Sequence, residues 1–199
     1  MNQHRRQFVT AVGAASFAPL FTNVNTAYAA GKQMVLSDFG SGYMLPGATW
    51  RGFSDRVMGG ISDVQLESTT ITGKTCARLT GTVTRENNGG FIQMALGFGK
   101  NYKAVDATGF AGVELEVFGN NEDYNVHIRT QDCRWYDESY RYTFFAKPEW
   151  QSIRIPFEAF EANKVSAPLD NSGINRLAVL GWMREFKADV ALTRIAFYS

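Results

Sequence analysis

The sequence predicts an all-β fold, a two-sheet β-sandwich of the jelly-roll type with little helix. Two patterns carry that expectation. Apolar and polar residues alternate with period two in run after run, as in strands with one buried and one wet face. Clusters of glycine and asparagine separate the runs at short intervals, with no long amphipathic helix, heptad or internal repeat among them. Composition agrees. The 199 residues include 19 glycines, 5 prolines and 14% aromatics, a mixture suited to tight turns and strand-forming rings. Hydrophobic residues at 45% and charged residues at 20% exclude wholesale disorder.

The N-terminus reads as an address. Arg5 and Arg6 precede Phe8 and Val9, a mildly apolar stretch covers residues 11–21, and Ala27, Tyr28 and Ala29 form an A-x-A cleavage signature. Paired arginines ahead of such a stretch match the twin-arginine export pattern, with the cut between Ala29 and Ala30. The stretch is too short and too mild to span a bilayer. The expectation is a signal peptide over residues 1–29, export to a bacterial periplasm, and one domain over residues 30–199 without a membrane span.

The strands follow in order. Val64 and Leu66 form the first alternating pair, then Ile92, Met94, Leu96 and Phe98. Val113, Leu115 and Val117 come next, then Tyr124, Val126, Ile128 and Thr130. Ile153, Ile155 and Phe157 precede Val190 and Leu192. Turn clusters stand at residues 87–90, 119–121 and 171–173. One helical turn is expected over residues 156–163, behind Pro156.

Charge and chemistry narrow the function. The net charge is +1. Arg5 and Arg6 lie in an acid-free stretch, and without them the 20 basic and 19 acidic side chains become an acidic excess of one. Nothing there is a footprint for nucleic acid. An oxidising compartment permits a bridge between Cys76 and Cys133, but separate strand thiols suit the spacing equally, and separate thiols are the expectation. Past the expected cut the chain offers one histidine, His127, and two distant cysteines, which do not make a zinc site. The acidic loop at residues 119–123 reads as a hairpin turn before a calcium site. No metal or cofactor is expected.

Catalytic signatures fail individually. Gly40, Gly42 and Gly97, Gly99 begin dinucleotide fingerprints that Leu45 and Tyr102 end. His127 alternates within a strand and reads as a surface histidine rather than a triad base. Glu114 with Glu116, and Asp132 with Asp137 and Glu138, are candidate glycosidase pairs, but solvated strand carboxylates explain them as well. The expectation is a protein that is not an enzyme.

One segment stands out. Residues 50–62 combine Trp50, Asp55, Arg56, Met58, Gly59, Gly60 and Ser62, and a second glycine pair follows at Asn88, Gly89 and Gly90, before Phe91. Adjacent glycines mark positive φ or close backbone approach, and loops on a rigid sandwich carry function. These residues are the candidate partner- or ligand-binding site.

The pattern W-x₄-D-x-V-M-G-G-x-S, then Gly89, Gly90 and Phe91, then Trp150 with Pro156, Phe157 and Phe160, resembles the CIA30 family, the complex I intermediate-associated protein 30 domains. The resemblance spans about residues 36–197, with the segments in family order. It implies a galactose-binding-like β-sandwich and an assembly-factor role, since the family's mitochondrial member assists assembly of NADH:ubiquinone oxidoreductase. The export signal departs from that setting. Three functions follow. The first is a non-catalytic module, an assembly factor or chaperone engaging a protein client such as a respiratory or envelope complex, for which Asp55→Ala or Gly60→Val would abolish binding. The second is carbohydrate binding, through Arg129, Trp135, Tyr136 and Trp182 as an aromatic platform flanked by polar groups. The third is a hydrolase built on residues 132–138.

Overall fold

A computed structural model describes residues 31–99 and 103–199; the signal-peptide expectation lies outside them. Among these described residues, thirteen strands form two antiparallel sheets. The first sheet contains β1 (Gln33–Asp38), β2 (Tyr43–Met44), β4 (Gln65–Ile71), β5 (Lys74–Val83), β7 (Gly112–Phe118), β10 (Gln151–Pro156) and β13 (Phe186–Tyr198). The second runs β11 (Glu161–Asn163), β9 (Ser139–Ala146), β8 (Glu122–Thr130), β12 (Ile174–Trp182), β6 (Phe91–Phe98) and β3 (Ala48–Ser54). This is the predicted all-β sandwich.

Alternation builds the core. Val113, Leu115 and Val117 are fully buried on β7, while Glu114 and Glu116 face outward. On β8, Tyr124, Val126 and Ile128 meet them from the second sheet. Full burial of each such aliphatic side chain is worth about 1.5–3 kcal/mol. Long β13 is the seam of the first sheet. Its first half pairs with β5, its second half with β1, and β7 runs along its other edge.

The outward carboxylates of β7 are held by cations. Glu114 accepts from Arg154 at 2.6 Å and pairs with Arg194, and Glu116 pairs with Lys74. Cys76 and Cys133 are free thiols. The turn behind Pro156 is shorter than expected, a single 3-10 turn at Phe157–Ala159. The chain then leaves as β11 at residues 161–163, where Glu161, Ala162 and Asn163 pair with β9. Edge pairing there wins over helix extension. Among the described residues no helix is long and apolar enough to cross a membrane.

Candidate functional site

The outer face of the second sheet, away from the core, carries a cleft of about 710 Å³. Strand register decides what lines it. On β12, Leu177 and Val179 enter the main core, so Arg176, Ala178, Leu180 and Trp182 face outward. Pairing sets Ala178 opposite Ala95 of β6 and opposite His127 of β8, and His127 opposite Arg141 of β9. Arg176 pairs with Arg129 one step along.

Ala95, Ala178 and Leu180 make a small buried apolar floor, with Phe53 and Trp182 packed on it. An aromatic row crosses that floor. Phe53 meets Phe91 edge-on at 6.2 Å, Phe91 meets Trp182 at 5.8 Å, and Trp182 meets His127 edge-on at 5.2 Å. The Arg141 guanidinium lies 4.6 Å from the Trp182 ring centre, a cation–π arrangement. Trp182 is therefore partly covered, with Arg141 over its ring, while it still lines the cleft.

His127 is buried, which corrects the expectation of a surface histidine. Its strand is central, and the outer face is itself roofed by Trp182 and Arg141. Burial, with Arg141 and Arg129 nearby, pushes its pKa down to about 3, so the ring is neutral at ordinary pH. Its Nε2 has no hydrogen-bond partner among the described residues.

Two loops wall the cleft. The first follows β3 as a 3-10 turn at Asp55–Met58, where the Ser54 hydroxyl accepts from the Arg56 N–H. Asp55 is fully buried and organises this wall. Its carboxylate accepts from the Ser62 N–H at 2.9 Å, the Ser62 hydroxyl at 2.5 Å, the Gly90 N–H at 2.6 Å and the Phe91 N–H at 3.2 Å. Burial pushes the carboxyl pKa up, but the Ser62 hydroxyl and the N–H groups of Gly90, Ser62 and Phe91 outweigh it and hold the group below its ordinary value. The glycines answer to this carboxylate. A Cβ on Gly60 would stand 2.3 Å from Asp55 Oδ1, and one on Gly89 would stand 2.6 Å from Oδ2.

The second loop joins β8 to β9. Arg129 donates to the carbonyls of Cys133 at 3.1 Å, Trp135 at 2.8 Å, Tyr136 at 2.9 Å and Glu138 at 2.6 Å. The Glu138 carboxylate accepts from the N–H groups of Arg134 and Trp135. Asp137 pairs with Lys164 at 2.6 Å, a bond that holds its carboxyl below the usual range. The carboxylates of residues 132–138 are thus mostly engaged in holding the loop.

The structure draws both predicted residue sets to one place. Met58, Asn88 and Gly89 from the first set and Arg129, Tyr136 and Trp182 from the second all line the cleft. Asp55, Gly60, Ser62 and Gly90 are buried behind that wall. Gly59 ends the 3-10 turn in the left-handed region. Arg56 is exposed, binds Asp63 at 2.6 Å and closes its own loop. Trp50 lies on the core side of β3, where its indole donates to Ser37 Oγ at 3.1 Å. Trp135 is 68% exposed on the second loop and does not line the cleft. Sequence reasoning missed Phe53, Gln93, Arg141 and Arg176. The alternation phase of β8 and β6 puts His127, Arg129, Phe91 and Gln93 opposite the core residues and was a usable signal for part of this set. Among the described residues no group of three His, Cys, Asp or Glu is placed to hold a metal ion.

The two-sheet β-sandwich is shared with solved carbohydrate-binding modules. The chain superposes on the family 11 module of the cellulosomal cellulase Lic26A-Cel5E of Clostridium thermocellum with a TM-score of 0.68 at 15% identity, covering 86% of this chain and 96% of that one. A family 11 module from Clostridium thermocellum in complex with a β-1,3-1,4-mixed-linked tetrasaccharide gives 0.65 at 15% identity, covering 86% and 97%. A family 30 module gives 0.56 at 15% identity, covering 84% and 88%. These likenesses establish the fold. No curated protein matches the chain significantly. The family model of complex I intermediate-associated protein 30 (CIA30) matches residues 38–181, and the chain belongs to the CIA30 family.

Proposed function

We propose that this protein is a non-catalytic binding module whose cleft takes a carbohydrate, and that it works after export through the signal at residues 1–29. The cleft is the observation that carries the reading. Its volume suits a small-molecule or oligosaccharide site. Aromatic rings beside polar groups (Phe91, Trp182 and Tyr136 beside Gln93 and Ser139) offer both the apolar surface and the hydrogen bonds a sugar needs. The similarity to carbohydrate-binding modules adds support. The lining holds one carboxylate, Asp137, already bound to Lys164, whereas glycoside hydrolysis needs two.

Affinity electrophoresis and calorimetry of residues 30–199 against a panel of soluble glycans test it. Binding that quenches tryptophan fluorescence and is lost in Trp182→Ala is the expected result. A folded protein that binds no glycan in the panel overturns it.

A protein client is the second reading. Val57, Met58, Ile61 and Met183 are exposed apolar side chains, and Val57, Met58 and Met183 line one part of the cleft. Apolar side chains gathered in one place mark interaction surfaces. Mild cross-linking in native cells that recovers one membrane complex, with loss in Val57→Asp, would favour this reading over the glycan.

A further inference from the structure

We propose that His127 is the specificity-determining residue of the cleft, its Nε2 sharing a hydrogen bond with a hydroxyl group of the ligand. This rests on the carbohydrate reading above and deepens it by naming the atom that reads the sugar. Buried polar atoms are nearly always paired, and leaving one unpaired costs stability. Among the described residues two buried side-chain polar atoms lack a partner, His127 Nε2 and Asn171 Oδ1. The first belongs to a ring that lines the cleft, and the second does not. The neighbours of His127 explain why the protein leaves it unpaired. Register sets Ala178 on one side of it and Arg141 on the other. Ala95 lies beyond Ala178, and Leu180 completes a floor with no polar side-chain atom. The Arg141 guanidinium is turned to Ser139 Oγ, the Asp137 carbonyl and the Trp182 face. Trp182 meets the imidazole edge-on, a ring contact rather than a hydrogen bond.

Trp182 and Arg141, which roof the ring, are themselves half-buried. A shift of either side chain therefore opens Nε2 to a ligand already in the cleft. The chemistry of the atom selects its partner. Burial, with Arg141 and Arg129 nearby, keeps the ring neutral. At Nε2 a neutral imidazole offers a donor or an acceptor according to its tautomer, and a hydroxyl both donates and accepts, so a hydroxyl answers either form. A sugar whose apolar face lies on Trp182 carries hydroxyls around the edge of that face, where the imidazole stands beside the indole. A ligand with no hydroxyl at that point would leave the nitrogen unpaired in a drier site, which is how a hydrogen-bonding site rejects an analogue.

Calorimetry and thermal melting of the protein and of His127→Leu test the proposal. The probes are three soluble glycans, a mixed-linkage β-glucan, a xyloglucan and a β-1,4-galactan. The glycan that binds the unaltered protein should bind His127→Leu about tenfold more weakly. The variant should melt at the same temperature or higher, because an apolar side chain removes an unpaired buried nitrogen. A histidine with a purely structural role would not give lost affinity together with kept stability. Undiminished binding by folded His127→Leu overturns the inference and leaves the carbohydrate reading standing. If His127→Leu is less stable or unfolds, ring-nitrogen NMR decides. It is recorded in a His4→Ala background, which leaves His127 as the sole histidine. Saturation with the glycan should move the Nε2 resonance while the ring stays neutral, and an unmoved resonance overturns the inference. Failure of every probe to bind the folded, unaltered protein overturns both readings.

Discussion

The two walls of the cleft are built by opposite charges. On one side the buried Asp55 carboxylate gathers N–H donors from Ser62, Gly90 and Phe91. On the other the half-buried Arg129 guanidinium gathers four carbonyl acceptors from residues 133–138. Each is a single charged side chain organising a loop through the backbone, so each loop is specified with few sequence constraints of its own. The difference lies in burial and in protons. Asp55 is shut in and can titrate, whereas a guanidinium beside solvent keeps its charge at any ordinary pH. The first wall is therefore the more rigid and the more sensitive to acid.

Removing Asp55 should have the largest effect. Asp55→Ala leaves buried donors at Ser62, Gly90 and Phe91 unpaired and is expected to cost about 3 kcal/mol or more in urea unfolding. Gly60→Val should destabilise comparably, because its side chain would occupy the place of the Asp55 carboxylate. Loss of binding in either variant would then follow from a collapsed wall. If both melt like wild type, Asp55 is not the organiser described here.

Arg129→Gln is expected to cost less, about 1–2 kcal/mol, because water can satisfy carbonyls freed at the surface. Hydrogen exchange should show residues 133–138 opening while the 55–62 wall stays protected. Equal opening of both walls would break the distinction.

Acid sharpens the comparison. The folded pKa of Asp55 is below 3.8, so its contribution is full above that value and is lost as pH falls through the lower folded value. His127 acts earlier. Its pKa falls from 6.5 to about 3 on folding, so the unfolded chain binds the extra proton and stability declines as pH drops below 6.5. Unfolding free energy measured against pH should lose the early slope in His127→Gln and the late one in Asp55→Asn. Persistence of both slopes in both variants would refute the assignment. The smallest effect belongs to Trp135→Ala. At 68% exposure it should change stability by less than about 0.5 kcal/mol, and leave cleft binding intact.

The sandwich was legible because half-buried strands write their periodicity into the chain. β6, β7, β8 and β10 show it in Ile92, Leu115, Val126 and Ile155. β12 was not legible in that way. It lies between β6 and β8 with both faces covered, and its run from Leu177 to Leu180 is buried without alternation. β9 carries Tyr140, Tyr142, Phe144 and Phe145 and mixes aromatics on both faces. Those two strands supply Arg141 and Arg176 to the cleft, and both arginines went unseen, while Trp182 at the end of β12 was singled out only as an aromatic. The glycine pairs were visible as turns, but their reason, the space needed by Asp55, was not.

By itself the sequence determined the alternating half-buried strands, the tight turns and the family motifs, since each rests on residues close along the chain. The cleft was decided only by tertiary structure. Its residues lie on loops and on five strands scattered between Phe53 and Met183, and antiparallel register alone sets Arg129 beside Arg176 and Arg141 beside His127. Register depends on how two sheets bury their apolar faces together, a property of the whole chain that no local segment carries.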